Sequence, residues 1–144
     1  MSDTRETYYR GLFWVAAAYD IILGFGFLFF TPQIARRLDF EADLPTYGGY
    51  TSLIAAFVFV IGIAYVFIAL GDLERNRDLI AVGTLYKLAY FSVAVYYFAR
   101  DDYPHVIFVG FGVTDLIFFI LMAECWWFLG RLDTRQNAAQ PQAG

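Results

Sequence analysis

Leu12-Phe-Trp-Val-Ala-Ala-Ala-Tyr-Asp20-Ile-Ile-Leu-Gly24-Phe-Gly-Phe-Leu-Phe-Phe30 is the stretch that decides the fold. It is apolar except at Asp20. At about 1.5 Å per helical residue it is long enough to cross a hydrocarbon layer about 30 Å thick. Three further runs of the same kind follow: Ser52 to Leu70, Leu79 to Ala99 and Val106 to Leu129. A backbone in lipid must satisfy its own N–H and C=O groups, so such runs cross as helices. The sequence therefore predicts an all-α, four-helix transmembrane bundle. Composition agrees: the 144 residues are 60% hydrophobic and only 17% charged, with mean hydropathy +0.53, too few charges to cover a water-soluble surface.

The first run follows a mixed-charge stretch (Asp3, Arg5, Glu6, Arg10) and no small-residue cleavage site follows it, so it reads as a retained span rather than a signal peptide. Arginines set the expected orientation. Arg5, Arg10, Arg75, Arg77, Arg131 and Arg135 fall on one side; Arg36, Arg37 and Arg100 fall on the other. Both termini are expected in the cytoplasm of a cell with a bacterial-type inner membrane. Tyr8, Tyr9, Trp14, Trp126 and Trp127 then form one interfacial belt, and Tyr47, Tyr50, Tyr96, Tyr97 and Tyr103 the other.

Between the first two runs, Pro32 suits the first turn of a short helix. Ile34, Ala35 and Leu38 set against Arg36, Arg37 and Asp39 predict an amphipathic turn lying on the membrane surface, ended by Pro45, Gly48 and Gly49. The link Gly71 to Asp78 is a compact charged turn in which Asp78 is placed to cap the third span. Residues 1 to 130 make one domain. Residues 131 to 144, rich in Ala, Gln, Pro and Gly, bury nothing and are expected to be a disordered cytoplasmic tail.

Charges inside the runs are where chemistry must be sought, since each costs roughly 2.5 to 3.5 kcal/mol on insertion scales. They are Asp20, Lys87, Asp115 and Glu124. Measured from the cytoplasmic ends of their spans, Asp20 and Lys87 both lie about 12 Å deep, Glu124 about 8 Å and Asp115 about 21 Å. Lys87 can therefore reach Asp20 or one acid of the fourth span, and the four residues are expected to form an intramembrane ligand or proton site. Three acids face one cation, so one acid is expected to hold a proton. Asp115 is the choice, being nearest the midplane and out of reach of a lysine already held by Asp20. A plainer reading makes Lys87 and one acid a register-fixing pair, with Glu124 reaching to the headgroups beside Trp126 and Trp127. Small and aromatic neighbours, Tyr19, Gly24, Tyr86, Tyr90, Gly112 and Phe119, are the candidate pocket lining, and Gly24 lies on a small-residue face that invites a close helix.

Other chemistries are argued down. His105 is the lone histidine and Cys125 the lone cysteine, so an intrachain bis-His haem, a zinc site or a disulfide is excluded. The juxtamembrane position of Cys125 is compatible with palmitoylation. No phosphate loop, nucleophile elbow or paired metal ligands are present. No catalytic residue, metal or cofactor is expected.

Glu74-Arg-Asn-Arg77, Gly83-Thr-Leu-Tyr-Lys87-Leu and Gly112-Val-Thr-Asp115, set in four short spans with an amphipathic turn after the first, resemble small bacterial four-span membrane proteins of DoxX-like layout. The resemblance covers most of residues 12 to 130. It implies a four-span fold and, because some DoxX-like proteins are linked to quinone-coupled sulfur oxidation, a redox association that no cysteine pair here would carry. The expected function is non-enzymatic: support of a membrane partner complex, or binding of a small apolar or cationic ligand at the Asp20/Lys87/Asp115 cluster. A subunit of a quinone-linked redox system and a proton-coupled carrier are the alternatives. The expected partners are the lipid bilayer, a homodimer or larger membrane complex and such a ligand, with no nucleic acid.

Overall fold

The computed structural model describes residues 3–100 and 106–139, with side chains described through residue 132. Tyr103, placed above in an interfacial belt, and His105, the lone histidine, lie outside the described residues. Four long helices run antiparallel in sequence: α1 (Asp3–Leu38), α2 (Gly48–Leu70), α3 (Arg77–Phe98) and α4 (Val106–Ala139). All four carry a window long and apolar enough to cross a membrane, and no strand is found among the described residues. The chain is an integral membrane protein with a four-helix architecture. One end of the bundle carries the start of α1, the end of α4 and the α2–α3 link. The other carries the α1–α2 loop.

α1 is a long helix and a shorter helical piece joined by a kink. Phe30 leaves helical geometry (φ −128°, ψ 18°), because Pro32 has no N–H to return to Leu28 and its ring crowds the preceding turn. The Thr31 hydroxyl donates to the Phe27 carbonyl across the break. The second piece ends at Asp39, whose φ of 58° is the left-handed stop that a short polar side chain tolerates. The Phe40 N–H then returns to the Ala35 carbonyl at 3.1 Å, and the Phe40 ring turns inward against Phe27 and Phe108. A short 3-10 turn, Glu41–Asp43, follows.

Two details of the sequence reading change. Asp78 lies inside the first turn of α3, where the helix begins after Asn76 without a side-chain cap; in the link it is Asp72 that accepts, from the Arg75 N–H at 3.0 Å. α4 continues through Ala139, past the point where the tail was placed. Arg131, Leu132, Gln136 and the alanines are good helix formers, and no breaker precedes Pro141. Residues 140–144 lie outside the described residues.

α1 packs mainly on α2, and α3 mainly on α4, so the bundle is two helical hairpins. Glycines let the first hairpin close. A Cβ on Gly24 would meet the Phe59 backbone N at 2.5 Å, and one on Gly62 would meet the Ile21 N at 2.8 Å, an approach that bulkier residues forbid. The fully buried side chains gather toward the terminal end: Tyr9 and Phe13 of α1, Tyr65 and Ile68 of α2, Ile80 of α3, and Met122 and Leu129 of α4. Cys125 is among them with no exposed surface, which turns its thiol away from an acylating enzyme and corrects the palmitoylation reading.

The glycine contacts predict that Gly62→Leu drives α1 and α2 apart and lowers the melting temperature in detergent by several degrees, an overpacking cost of about 1–3 kcal/mol. Gly11→Leu, where a Cβ meets nothing within 4 Å, should leave it unchanged or raise it. Thermal unfolding of both variants checks this.

Candidate functional site

The hairpins meet through polar bonds as much as through packing. Lys87 Nζ, on α3, donates to Asp20 Oδ1 of α1 at 2.7 Å and to Asp115 Oδ1 of α4 at 2.9 Å. All three side chains are buried, with residue exposures of 0% for Lys87, 1% for Asp20 and 4% for Asp115. An ammonium has three N–H donors in a compact head, so two carboxylates on different helices can share it. The premise that Asp115 lies out of reach of Lys87 is thereby corrected: height along the spans was treated as making the two pairings exclusive, whereas the lysine bridges both levels.

Around the ammonium stand four aromatic rings. Their centroids are 5.0 Å (Tyr19), 5.3 Å (Tyr86), 5.4 Å (Phe118) and 5.9 Å (Tyr65) from Nζ. Rings within about 6 Å of a cation attract it through their quadrupoles, and more so when water is excluded. Tyr65 is held in place by donating its hydroxyl to the Gly83 carbonyl at 2.9 Å. Gly83 itself has no room for a side chain, since a Cβ would meet the Tyr65 ring at 2.5 Å. This cage is built from all four helices.

Glu124 does not join the cluster. It is nine residues from Asp115, a half-turn out of phase on a helix with 3.6 residues per turn. It is exposed and accepts from the Tyr9 hydroxyl at 2.9 Å, a second polar tie between α1 and α4. Around it the terminal end carries stacked arginines: Arg5 over Phe128 at 4.4 Å, Arg77 over Trp126 at 4.9 Å and Arg131 over Trp127 at 3.5 Å.

On the loop side of the triad is a cavity of about 200 Å³. Its walls include Gly24, Tyr90 and Phe111. Gly24 is four residues after Asp20, Tyr90 three after Lys87, and Phe111 four before Asp115 on a helix that runs the other way. Each is therefore one turn, about 5.4 Å, loopward of a triad member. The triad forms the level beneath the cavity floor. Ala55 and Val58 of α2 complete a wall, and Asp43, Leu44 and Pro45 of the α1–α2 loop form the rim.

Of the six residues nominated as lining, Gly24 and Tyr90 line this cavity, and Tyr19 and Tyr86 belong to the cage. Gly112 is buried where a Cβ would press on Ala94 of α3 at 3.2 Å. Phe119 is half-buried, its neighbour Phe118 taking the position over the ammonium. Tyr65, Phe111 and the loop rim were not nominated. Tyr65 carries no mark in sequence beyond being the polar aromatic of a span otherwise free of charge.

Comparison with protein-family models, with curated proteins and with solved structures gives no match, so the site is interpreted from its own geometry. Among the described residues no group of His, Cys, Asp and Glu is arranged to hold a metal ion.

If Lys87 is the shared partner of both acids, Lys87→Met should destabilise the fold by about 3–5 kcal/mol, the usual cost of leaving a buried charge without its partner. Adding Asp20→Asn and Asp115→Asn together should recover most of that loss. Unfolding of the single, double and triple variants in mixed micelles measures the couplings; simple additivity for both acids would show that no shared pair exists.

Proposed function

We propose that the protein is a non-enzymatic membrane protein that holds a small apolar or cationic molecule in the loop-side cavity, above the Asp20–Lys87–Asp115 triad. The observation that carries this reading is the register of the cavity: three of its wall residues sit one helical turn from the three buried charges, on three different helices. Binding sites of this type combine mostly apolar walls with a few converging polar groups. The cavity is small for a drug-sized ligand, which argues for a compact molecule or one end of a lipid-like one.

The arginine distribution supports a setting in a bacterial-type inner membrane with both termini cytoplasmic. The cavity rim at Asp43 to Pro45 would then open toward the outer face. The DoxX-like layout is consistent with this placement. It adds no redox group: the lone cysteine is buried about three helical turns from Asp115, toward the terminal end of α4.

Two measurements follow. Ala55 is 2% exposed and forms part of the cavity wall, so Ala55→Trp should fill the space. Native mass spectrometry of the protein extracted from its own membrane should show a co-purifying small molecule on the wild type and little or none on Ala55→Trp. Equal adducts on both, or none on either, would remove the reading. For orientation, Glu41→Cys should react with an impermeant maleimide in intact cells and Arg75→Cys only after lysis; the reverse pattern would invert the topology.

A further inference from the structure

The triad does not balance. One ammonium faces two carboxylates, and Asp20 Oδ2 is buried with no hydrogen-bond partner while Oδ1 is bound to Lys87. The titratable groups facing Asp20 are Lys87 and Tyr86 of α3, Asp115 of α4, Tyr65 of α2 and Tyr19 beside it on α1. The phenols are uncharged near neutral pH, so the cluster carries one excess negative charge unless a proton or a second cation completes it. A net charge buried in a membrane protein is costly and calls for a partner.

The cavity one turn away is suited to supply that partner. Its walls include Phe27, Tyr90, Phe108 and Phe111, rings whose faces favour a cation. Among the described residues neither Lys nor Arg lines it, and an acid, Asp43, stands at its rim. A cation entering it would pass the Asp43 carboxylate and lie about one helical turn above Asp20 and Asp115. The chain has already solved the same recognition problem once, in the cage of four rings and two carboxylates that holds its own Lys87 ammonium.

We propose that the cavity takes a monovalent organic cation in exchange for a single proton held on Asp20 Oδ2. The inference rests on the ligand-binding reading above and names its ligand class. In the exchange the O–H bond of the Asp20 carboxylic acid breaks, the proton leaves to solvent, and the carboxylate that remains is balanced by the incoming positive charge. No other bond changes. The triad is neutral before the exchange, and the triad together with its bound cation is neutral after it.

Benzyltrimethylammonium is a suitable probe because it has no acidic proton, so any proton released comes from the protein. The purified full chain in detergent, in calorimetric titrations with buffers of different ionisation enthalpy, should release about one proton per probe bound. Affinity should strengthen as pH rises, by up to about tenfold per unit while Asp20 still holds the proton. Asp20→Asn should bind the probe at least tenfold more weakly and release no proton. A fold-independent check needs no variant: the infrared carboxylic C=O band of the wild type should be present without the probe and lost when it binds.

Failure is separable from failure of the broader reading. If neopentylbenzene, the neutral isostere, binds as tightly as the cation and nothing is released, the exchange is wrong and the apolar-ligand reading stands. If neither compound binds the wild type, the exchange is overturned, and the Ala55→Trp comparison judges the cavity separately. Proton release that survives Asp20→Asn and vanishes in Asp115→Asn overturns the assignment to Asp20. An infrared band that is absent from the wild type, or that the probe leaves unchanged, overturns the exchange itself.

Discussion

A single ammonium that must satisfy two carboxylates is the constraint on which the arrangement of helices depends. In water the hydrophobic effect would press two amphipathic hairpins together; in a bilayer lipid tails solvate the same faces equally well, and association falls to close packing and hydrogen bonds. α1 and α2 use the first of these, through Gly24 and Gly62. Between the hairpins the specific ties are polar: Lys87 to Asp20, Tyr65 to the Gly83 carbonyl and Tyr9 to Glu124. Lys87 reaches two helices at once and so fixes rotation as well as distance. Turning α3 by one residue would carry the ammonium about 100° away from both acids.

Buried ion pairs are weak evidence for stability, because the loss of solvation can consume the Coulomb gain. Here the environment reduces that loss. The faces of Tyr19, Tyr65, Tyr86 and Phe118 replace part of the ammonium's hydration. The same rings leave the carboxylates without comparable help, since a ring face repels negative charge. The cluster is therefore well arranged for its cation and under-provided for its anions, and the orphaned Asp20 Oδ2 is the atom at which that imbalance is visible.

Much of this was legible in the sequence. α2 and α3 lie within a few residues of their apolar runs, and α1 and α4 contain theirs and extend beyond them, because length and hydropathy are nearly sufficient to define a helix in lipid. Asp20 and Lys87 could be placed at one level by counting residues from span ends. Helical phase was equally available and would have removed Glu124, which faces half a turn away from Asp115. The cavity was not available. It depends on the chain folding back after Pro32, on the left-handed turn at Asp39 that aims Phe40 inward, and on the segment from Asp43 to Pro45 coming to line the space beside α2. These are choices of loop geometry, and no periodicity encodes them.

The position of Lys87 also bears on where a ligand would sit. A cage of four rings and two acids is the kind of site that recognises an external ammonium, and on sequence grounds it was the obvious place for one. The chain occupies it with its own side chain, tethered through four methylenes and therefore present at an effective concentration no free amine would match. What is left for a ligand is the next turn outward, where Gly24 trades a side chain for close approach to Phe59 and where Tyr90 and Phe111 continue the aromatic walls. An occupant there would sense the triad through charge rather than by displacing Lys87, so the hairpins could stay joined while the site empties and fills.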